Sequence, residues 1–194
     1  MKLHLIAGAR PNFMKIAPLW ARLVNHRAIR PYFIHMAQHR CDAMSSAIWQ
    51  ELRLPTPDHV LCWDKGQDND PVRQMMQSYE KRCAVDRPDA VLVVGDVNAS
   101  FAAAMIAARM KISLVHLEAG LRCFDPTVPE ERNRVAIDAM SDLLLTPSTD
   151  AGENLLAEGI EGEKIKHVGN IMADTLAMMK GRIDQEETAR KLDL

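Results

Sequence analysis

The sequence predicts one α/β domain built on a doubly wound, mostly parallel sheet of about seven strands. Three observations carry this. Short apolar runs of strand length alternate with segments of helical period along the chain. The run AVLVV at Ala90–Val94 is apolar on both faces, as a central parallel strand covered by helices must be. No internal repeat, low-complexity tract or linker rich in Gly, Ser or Pro divides the chain. A length of 194 residues fits one large domain or two small ones, and the unbroken alternation favours one.

The elements follow in order. Leu3–Ala7 reads as a strand, and Pro11 opens a helix with Phe13, Met14, Leu19, Trp20, Leu23 and Val24 on an apolar stripe. Tyr32–Ala37 is a second strand, Ala43–Leu52 a helix and His59–Cys62 a short strand. Pro71–Val85 is a helix with Met75, Met76, Tyr79 and Cys83 near one face. After the strand at Ala90–Val94 come an alanine-rich helix, Ala99–Arg109, and a strand, Ser113–Leu117. Glu130–Met140 is helical, Leu143–Thr146 a strand and Thr149–Glu158 a helix. Lys164–Val168 is the last strand, followed by a helix over Met172–Lys180. The domain is read as 1–180, with 181–194 as a charged exit helix or the start of a linker.

Composition narrows the function classes. Hydrophobic residues make up 47% and charged residues 26%, an ordinary globular balance. Lys+Arg number 24 against Asp+Glu 26, so no basic surface points to nucleic acid. The cysteines, Cys41, Cys62, Cys83 and Cys123, form no C-x-x-C pair and read as reduced thiols. No stretch approaches the ~18 apolar residues of a membrane span. The first apolar run breaks too early, at Gly8, for a signal peptide. A cytoplasmic location is expected.

In an open parallel sheet, ligands bind beyond the carboxyl ends of the strands, near the point where strand order reverses. After the first strand come Gly8, Arg10 and Lys15. Gly8 permits a tight turn, and the two cations lie at a helix N-terminus that already favours an anion. The spacing is neither a dinucleotide fingerprint nor a P-loop. Ordinary surface charge is the alternative reading of this pair. After the central strand comes Asp96, which suits a ligand-facing carboxylate or a helix cap equally. After the next strand come Glu118, Gly120 and Arg122, with His116 inside the strand as a structural residue. If these two strands are neighbours, Asp96 and Glu118 share a rim, and paired carboxylates drive their proton affinities apart.

The run Phe124–Arg134 places Glu130 and Arg134 four apart on one helix face. That spacing fits a surface salt bridge, or an acid held beside a phosphate-binding cation. Gln38, His39 and Arg40 follow the second strand onto the same rim. A lone histidine in such a loop is more often idle than functional.

Together these runs resemble the non-hydrolysing UDP-N-acetylglucosamine 2-epimerases. The matching pieces are GARPNFMKIAP, AQHR, Gly95-Asp96, HLEAGLR, FDPTVPEERNR, then EGI and VGNIMAD, in the family's order along nearly the whole chain. The resemblance implies two Rossmann-like domains in a GT-B-type arrangement, of which this chain carries the N-terminal one. It implies interconversion of UDP-GlcNAc and UDP-ManNAc with no redox cofactor and no metal. It places catalytic acids at Asp96, Glu118 and Glu130, and substrate-binding cations at Arg10, Lys15 and Arg134. Gln38, His39 and Arg40 fall where the family binds a second, activating UDP-GlcNAc. A homodimer is implied, with a role in cell-surface polysaccharide synthesis.

Two local departures stand beside the site. The family usually has Thr-Arg-Pro-Glu where this chain has Ala9-Arg10-Pro11-Asn12, and threonines where it has Val97-Asn98-Ala99. The second domain, expected to supply much of the uridine and diphosphate binding and a histidine, is not in this sequence. Two further readings therefore stand beside the epimerase. One is an inactive half acting as a binding or dimerisation module. The other is a hydrolysing relative that releases UDP and N-acetylmannosamine.

Overall fold

The computed structural model describes residues 1–38, 48–63 and 70–185. Seven strands form one parallel sheet: β1 (Lys2–Ala7), β2 (Arg30–Gln38), β3 (His59–Trp63), β4 (Ala90–Val94), β5 (Ser113–Leu117), β6 (Leu143–Thr146) and β7 (Ile165–His167). Their order is β3-β2-β1-β4-β5-β6-β7, so strand order reverses between β1 and β4. Every residue of β4 is buried, as its two-sided apolar run requires. β4 and β5 are direct neighbours, with Val94 opposite Leu117. The condition for placing Asp96 and Glu118 on one rim is met.

Helices cover both faces. α1 (Arg10–Leu23) and the helical residues 48–51 lie on one side. There Phe13, Ile16, Phe33, Trp49 and Val94 share a core. α2 (Pro71–Val85), α3 (Asn98–Arg109) and α4 (Pro129–Met140) lie on the other. The alanines of α3 explain its place: Ala102, Ala103, Ala104 and Ala107 are fully buried, so its backbone settles close onto the sheet between α2 and α4. Asp70 starts α2 by accepting from the N–H groups of Val72 and Arg73 at 3.0 and 3.2 Å, with Pro71 filling the first position. α5 (Thr149–Ala157) packs beside β6 and β7. α6 (Ile171–Gln185) returns to the α1 side, where Thr175 Oγ1 donates to Met14 O at 2.6 Å.

The ends of the chain differ a little from the sequence reading. Residues Gly162–Lys164 make a 3₁₀ turn, which shortens β7 at its start. α6 runs past Lys180 to Gln185, and Arg182 ties it to Glu51 O at 2.8 Å. Of the helix expected at Ala43–Leu52, only its last part falls among the described residues. The segment 186–194 lies outside them, as does Cys41, while Cys83 and Cys123 are free thiols. No helix among the described residues is long and apolar enough to cross a membrane.

Gly8 has a different purpose from the one its position suggested. Its backbone is not left-handed, but a Cβ there would overlap the Cβ of Ala99. The glycine is required by the close approach of the β1–α1 turn to α3.

Candidate functional site

The carboxyl ends of β1, β4 and β5 meet at the point of reversal. Lys15, on the second turn of α1, forms an ion pair with Glu118, the residue after β5. Gly95 lies beneath the pair: a Cβ there would stand 3.2 Å from Glu118 Oε2 and 3.5 Å from Lys15 Nζ. Gly95 has φ +60, so it is glycine both for the turn and for the room.

The next residue, Asp96, pairs with Arg134 of α4 at 2.6 Å. It is not a helix cap, because α3 begins after Val97 with no side-chain cap. Arg134 also reaches Glu131 at 2.6 Å, so one planar guanidinium joins two carboxylates. Glu131 in turn accepts from the N–H groups of Cys123 and Phe124 at 3.2 and 2.9 Å. Burial works against the Glu131 charge, yet these N–H groups and Arg134 hold its carboxyl below the ordinary value. Burial likewise opposes the Arg134 charge, and Asp96 and Glu131 outweigh it, raising its pKa. Asn133 closes the cluster by donating to Asp96 O at 2.8 Å.

The expected pairing of Glu130 with Arg134 is therefore replaced. The side chain of Arg134 points to the buried Glu131, three residues back, and across to Asp96. Glu130 is exposed, with no ion-pair partner among the described residues. Arg10 is also exposed and lines a groove of about 490 Å³ with Met14, Ile48, Leu52, Leu176 and Met179.

The helix N-terminus at α1 differs from an open anion site. Asn12 is buried, and its Oδ1 accepts from the N–H groups of Gly8 and Ala9 at 3.1 and 3.0 Å. Its Nδ2 donates to Val94 O at 3.1 Å. The residue that departs from the family pattern thus fastens the β1–α1 turn to β4, and Lys15 is already paired.

Gln38 ends β2 on the rim side, while His39 and Arg40 lie outside the described residues. His116 is fully buried, as expected of a structural strand residue. Glu131 and Asp138 were not singled out by sequence, and Asn12 only as a departure from the family pattern. A signal existed for Glu131, which stands three residues before Arg134 in helical register. None existed for Asp138, an acid inside a helix.

Two carboxylate–cation pairs thus stand at the reversal point of a parallel α/β sheet, where open sheets of this class take their ligands. The chain belongs to the UDP-N-acetylglucosamine 2-epimerase family, whose model matches residues 21–193. The UDP-N-acetylglucosamine 2-epimerase of Methanocaldococcus jannaschii is 40% identical over 181 residues, covering 93% of this chain and 49% of that protein. The UDP-2,3-diacetamido-2,3-dideoxy-D-glucuronate 2-epimerase of Pseudomonas aeruginosa is 34% identical over 177 residues, covering 90% of this chain and 50% of its own length. The crystal structure of the M. jannaschii enzyme in complex with UDP-GlcNAc and UDP superposes with a TM-score of 0.90 at 38% identity, covering 99% of this chain and 53% of that one. The chain spans about half the length of the curated relatives it matches.

Proposed function

We propose that this chain provides the acid–base half of a UDP-GlcNAc 2-epimerase. A rim carboxylate removes the C2 proton of the sugar while the C1–O bond to UDP breaks, giving 2-acetamidoglucal and free UDP. A proton then returns to C2 on the opposite face, UDP re-adds at C1, and UDP-ManNAc results. Glu118 and Asp96 are the acid–base pair, with Glu130 as a third acid. Lys15, Arg134 and Arg10 face the diphosphate, whose departing charge calls for fixed cations.

The observation that carries this reading is the placement of Glu118 and Asp96 at the ends of two neighbouring strands, each with its own cation. A C2 proton is weakly acidic, so its base must be held rigidly and its protonation set by neighbours. A base and an acid on opposite faces of one sugar ring need two carboxylates on separate loops. By the family resemblance, Gln38, His39 and Arg40 take part in binding a second, activating UDP-GlcNAc. The protein works in the cytoplasm as a homodimer.

A second reading rests on the share of the relatives that the chain covers, about half. In it the chain is a binding or dimerisation module and turns nothing over. Proton NMR of UDP-GlcNAc incubated with the chain in D2O separates the readings. Deuterium at C2 and the appearance of UDP-ManNAc are expected. Free UDP with N-acetylmannosamine would assign the hydrolysing outcome instead, and an unchanged substrate would assign the module. Running UDP-2,3-diacetamido-glucuronate in parallel settles which sugar is preferred. Glu118→Gln and Asp96→Asn are each expected to abolish exchange, and normal exchange in either variant would remove that residue from the mechanism.

A further inference from the structure

Behind the rim lies a polar network that the proposed chemistry does not use. Asp138 of α4 is fully buried. Its Oδ1 lies 2.6 Å from His116 Nδ1. Its Oδ2 accepts from the N–H of Gly120 at 3.1 Å and from Arg122 at 2.8 Å. The other ring nitrogen of His116 lies 3.0 Å from the carbonyl of Gly95. Arg122, whose side chain is 1% exposed, continues to Glu158 at the end of α5 through two bonds of 2.6 Å.

The network ends on the two loops that carry the acids. Gly95 immediately precedes Asp96, and Gly120 stands two residues after Glu118. Glu118 itself has φ +73, a left-handed backbone that is strained for any residue with a side chain. Such a conformation persists only where the surroundings over-determine it. Here the N–H groups of Glu118 and Ala119 both donate to Leu145 O, at 3.0 and 3.1 Å. Asn154 donates to Gly120 O at 2.9 Å, and Asp138 takes the Gly120 N–H.

We infer that Asp138 is a positioning residue for both rim carboxylates. It holds Glu118 in place through Gly120 and Arg122, and Asp96 through His116 and the Gly95 carbonyl. Two donors, the Gly120 N–H and the Arg122 guanidinium, converge on Oδ2, while Oδ1 lies against His116 Nδ1. An asparagine keeps one acceptor oxygen but removes the charge that pairs with the buried Arg122, leaving that cation with Glu158 alone. Burial disfavours the Asp138 charge, yet His116 and Arg122 hold its carboxyl below the ordinary value, so the acceptor state is the one present. The catalytic consequence rests on the epimerase reading, whereas the structural consequence does not.

The test is Asp138→Asn in the full 194-residue chain, with C2 deuterium exchange and amide hydrogen exchange measured on the same sample. At saturating UDP-GlcNAc, kcat is expected to fall about 100-fold with KM within about twofold, the mark of misplaced reacting groups and not of lost binding. The Gly120 amide should exchange about tenfold faster while the β4 amides stay protected. Leu155→Val thins the apolar packing on the same turn and leaves the polar network whole, so it should keep both readouts near wild type. His116→Asn removes the arm from Asp138 to Gly95 and leaves the Asp138 bonds to Gly120 and Arg122 in place. It should lower kcat about tenfold with Gly120 protection unchanged, and it decides the matter where Asp138→Asn does not fold. Unchanged kcat together with unchanged Gly120 protection in Asp138→Asn, or an unchanged kcat in His116→Asn, overturns the inference. Should the wild-type chain show no C2 exchange, the epimerase reading of the lone chain fails by itself. The Gly120 amide in Asp138→Asn then decides the positioning role alone.

Discussion

Lys15 forms its ion pair with Glu118, 103 residues further along the chain, across the open face of Gly95. The side chains are 14% and 20% exposed, so the pair is largely shielded yet still reached by solvent. Both the pair and the glycine under it depend on β4 lying between β1 and β5, which brings α1 over the ends of both neighbours.

Gly95→Ala tests that arrangement. The added methyl would meet Glu118 Oε2 at 3.2 Å in a backbone with φ +60. The left-handed backbone alone costs about 1–2 kcal/mol for a side chain, so the melting temperature should fall by several degrees. Turnover should fall further than that stability loss explains, because the methyl pushes the pair apart. Calorimetry and the C2 exchange rate check this, and a variant that melts earlier but turns over normally would detach the pair from catalysis.

Arg134→Lys is expected to behave as a strong loss and not as a conservative change. The guanidinium serves Asp96 with one nitrogen and Glu131 with another, both at 2.6 Å. A lysine offers one compact charge and cannot span both in a fixed plane. Turnover should drop about tenfold, the worth of one charge-assisted hydrogen bond, with the fold retained. Equal rates for the two proteins would show that Asp96 needs only a nearby positive charge.

Two glycines should respond with opposite signs. A methyl at Gly8 overlaps the Cβ of Ala99, and neither backbone can retreat within the core. Gly8→Ala should destabilise by about 1–3 kcal/mol, the usual cost of overpacking. Gly181, on exposed helix α6, has nothing within 4 Å of the same added atom. Gly181→Ala should stabilise by about 0.5–1 kcal/mol through helix propensity. Urea midpoints of the two variants measure both effects, and a neutral Gly8→Ala would contradict the close approach of the turn to α3.

The strands were legible because a doubly covered parallel sheet imposes apolar runs too short for helices. β4 and β5 could be bounded to the residue. The rim was legible for the same reason, since each strand end announces the next loop. Partner choice was not. The spacing of Glu130 and Arg134 satisfies helical geometry, but rotamer and burial send Arg134 to Glu131 and Asp96. Asn12 read as a departure, and only the fold reveals that it binds the turn to β4. Asp138 left no trace, because nothing local distinguishes an acid on a buried helix face from one in water.

His4 supplies a pH dependence separate from the rim. It is fully buried on β1, with Nδ1 3.0 Å from the Tyr79 hydroxyl and no partner for Nε2 among the described residues. Burial first, then the charges of Lys2 and Arg82, lower its pKa from 6.5 to about 4. The unfolded ring therefore takes up a proton near pH 6.5 while the folded ring does not. Stability is complete above that pH and declines as pH falls toward about 4. The loss across this window is on the order of 3 kcal/mol. The lowered carboxyls of Glu131 and Asp138 add their own losses as pH falls below their ordinary values of 4.5 and 3.8. His4→Gln keeps a polar group for Tyr79 but cannot titrate. Its urea midpoint should change less between pH 7 and pH 5 than that of the wild type, even if it starts lower. Parallel curves for the two proteins would show that the acid sensitivity of the fold arises elsewhere.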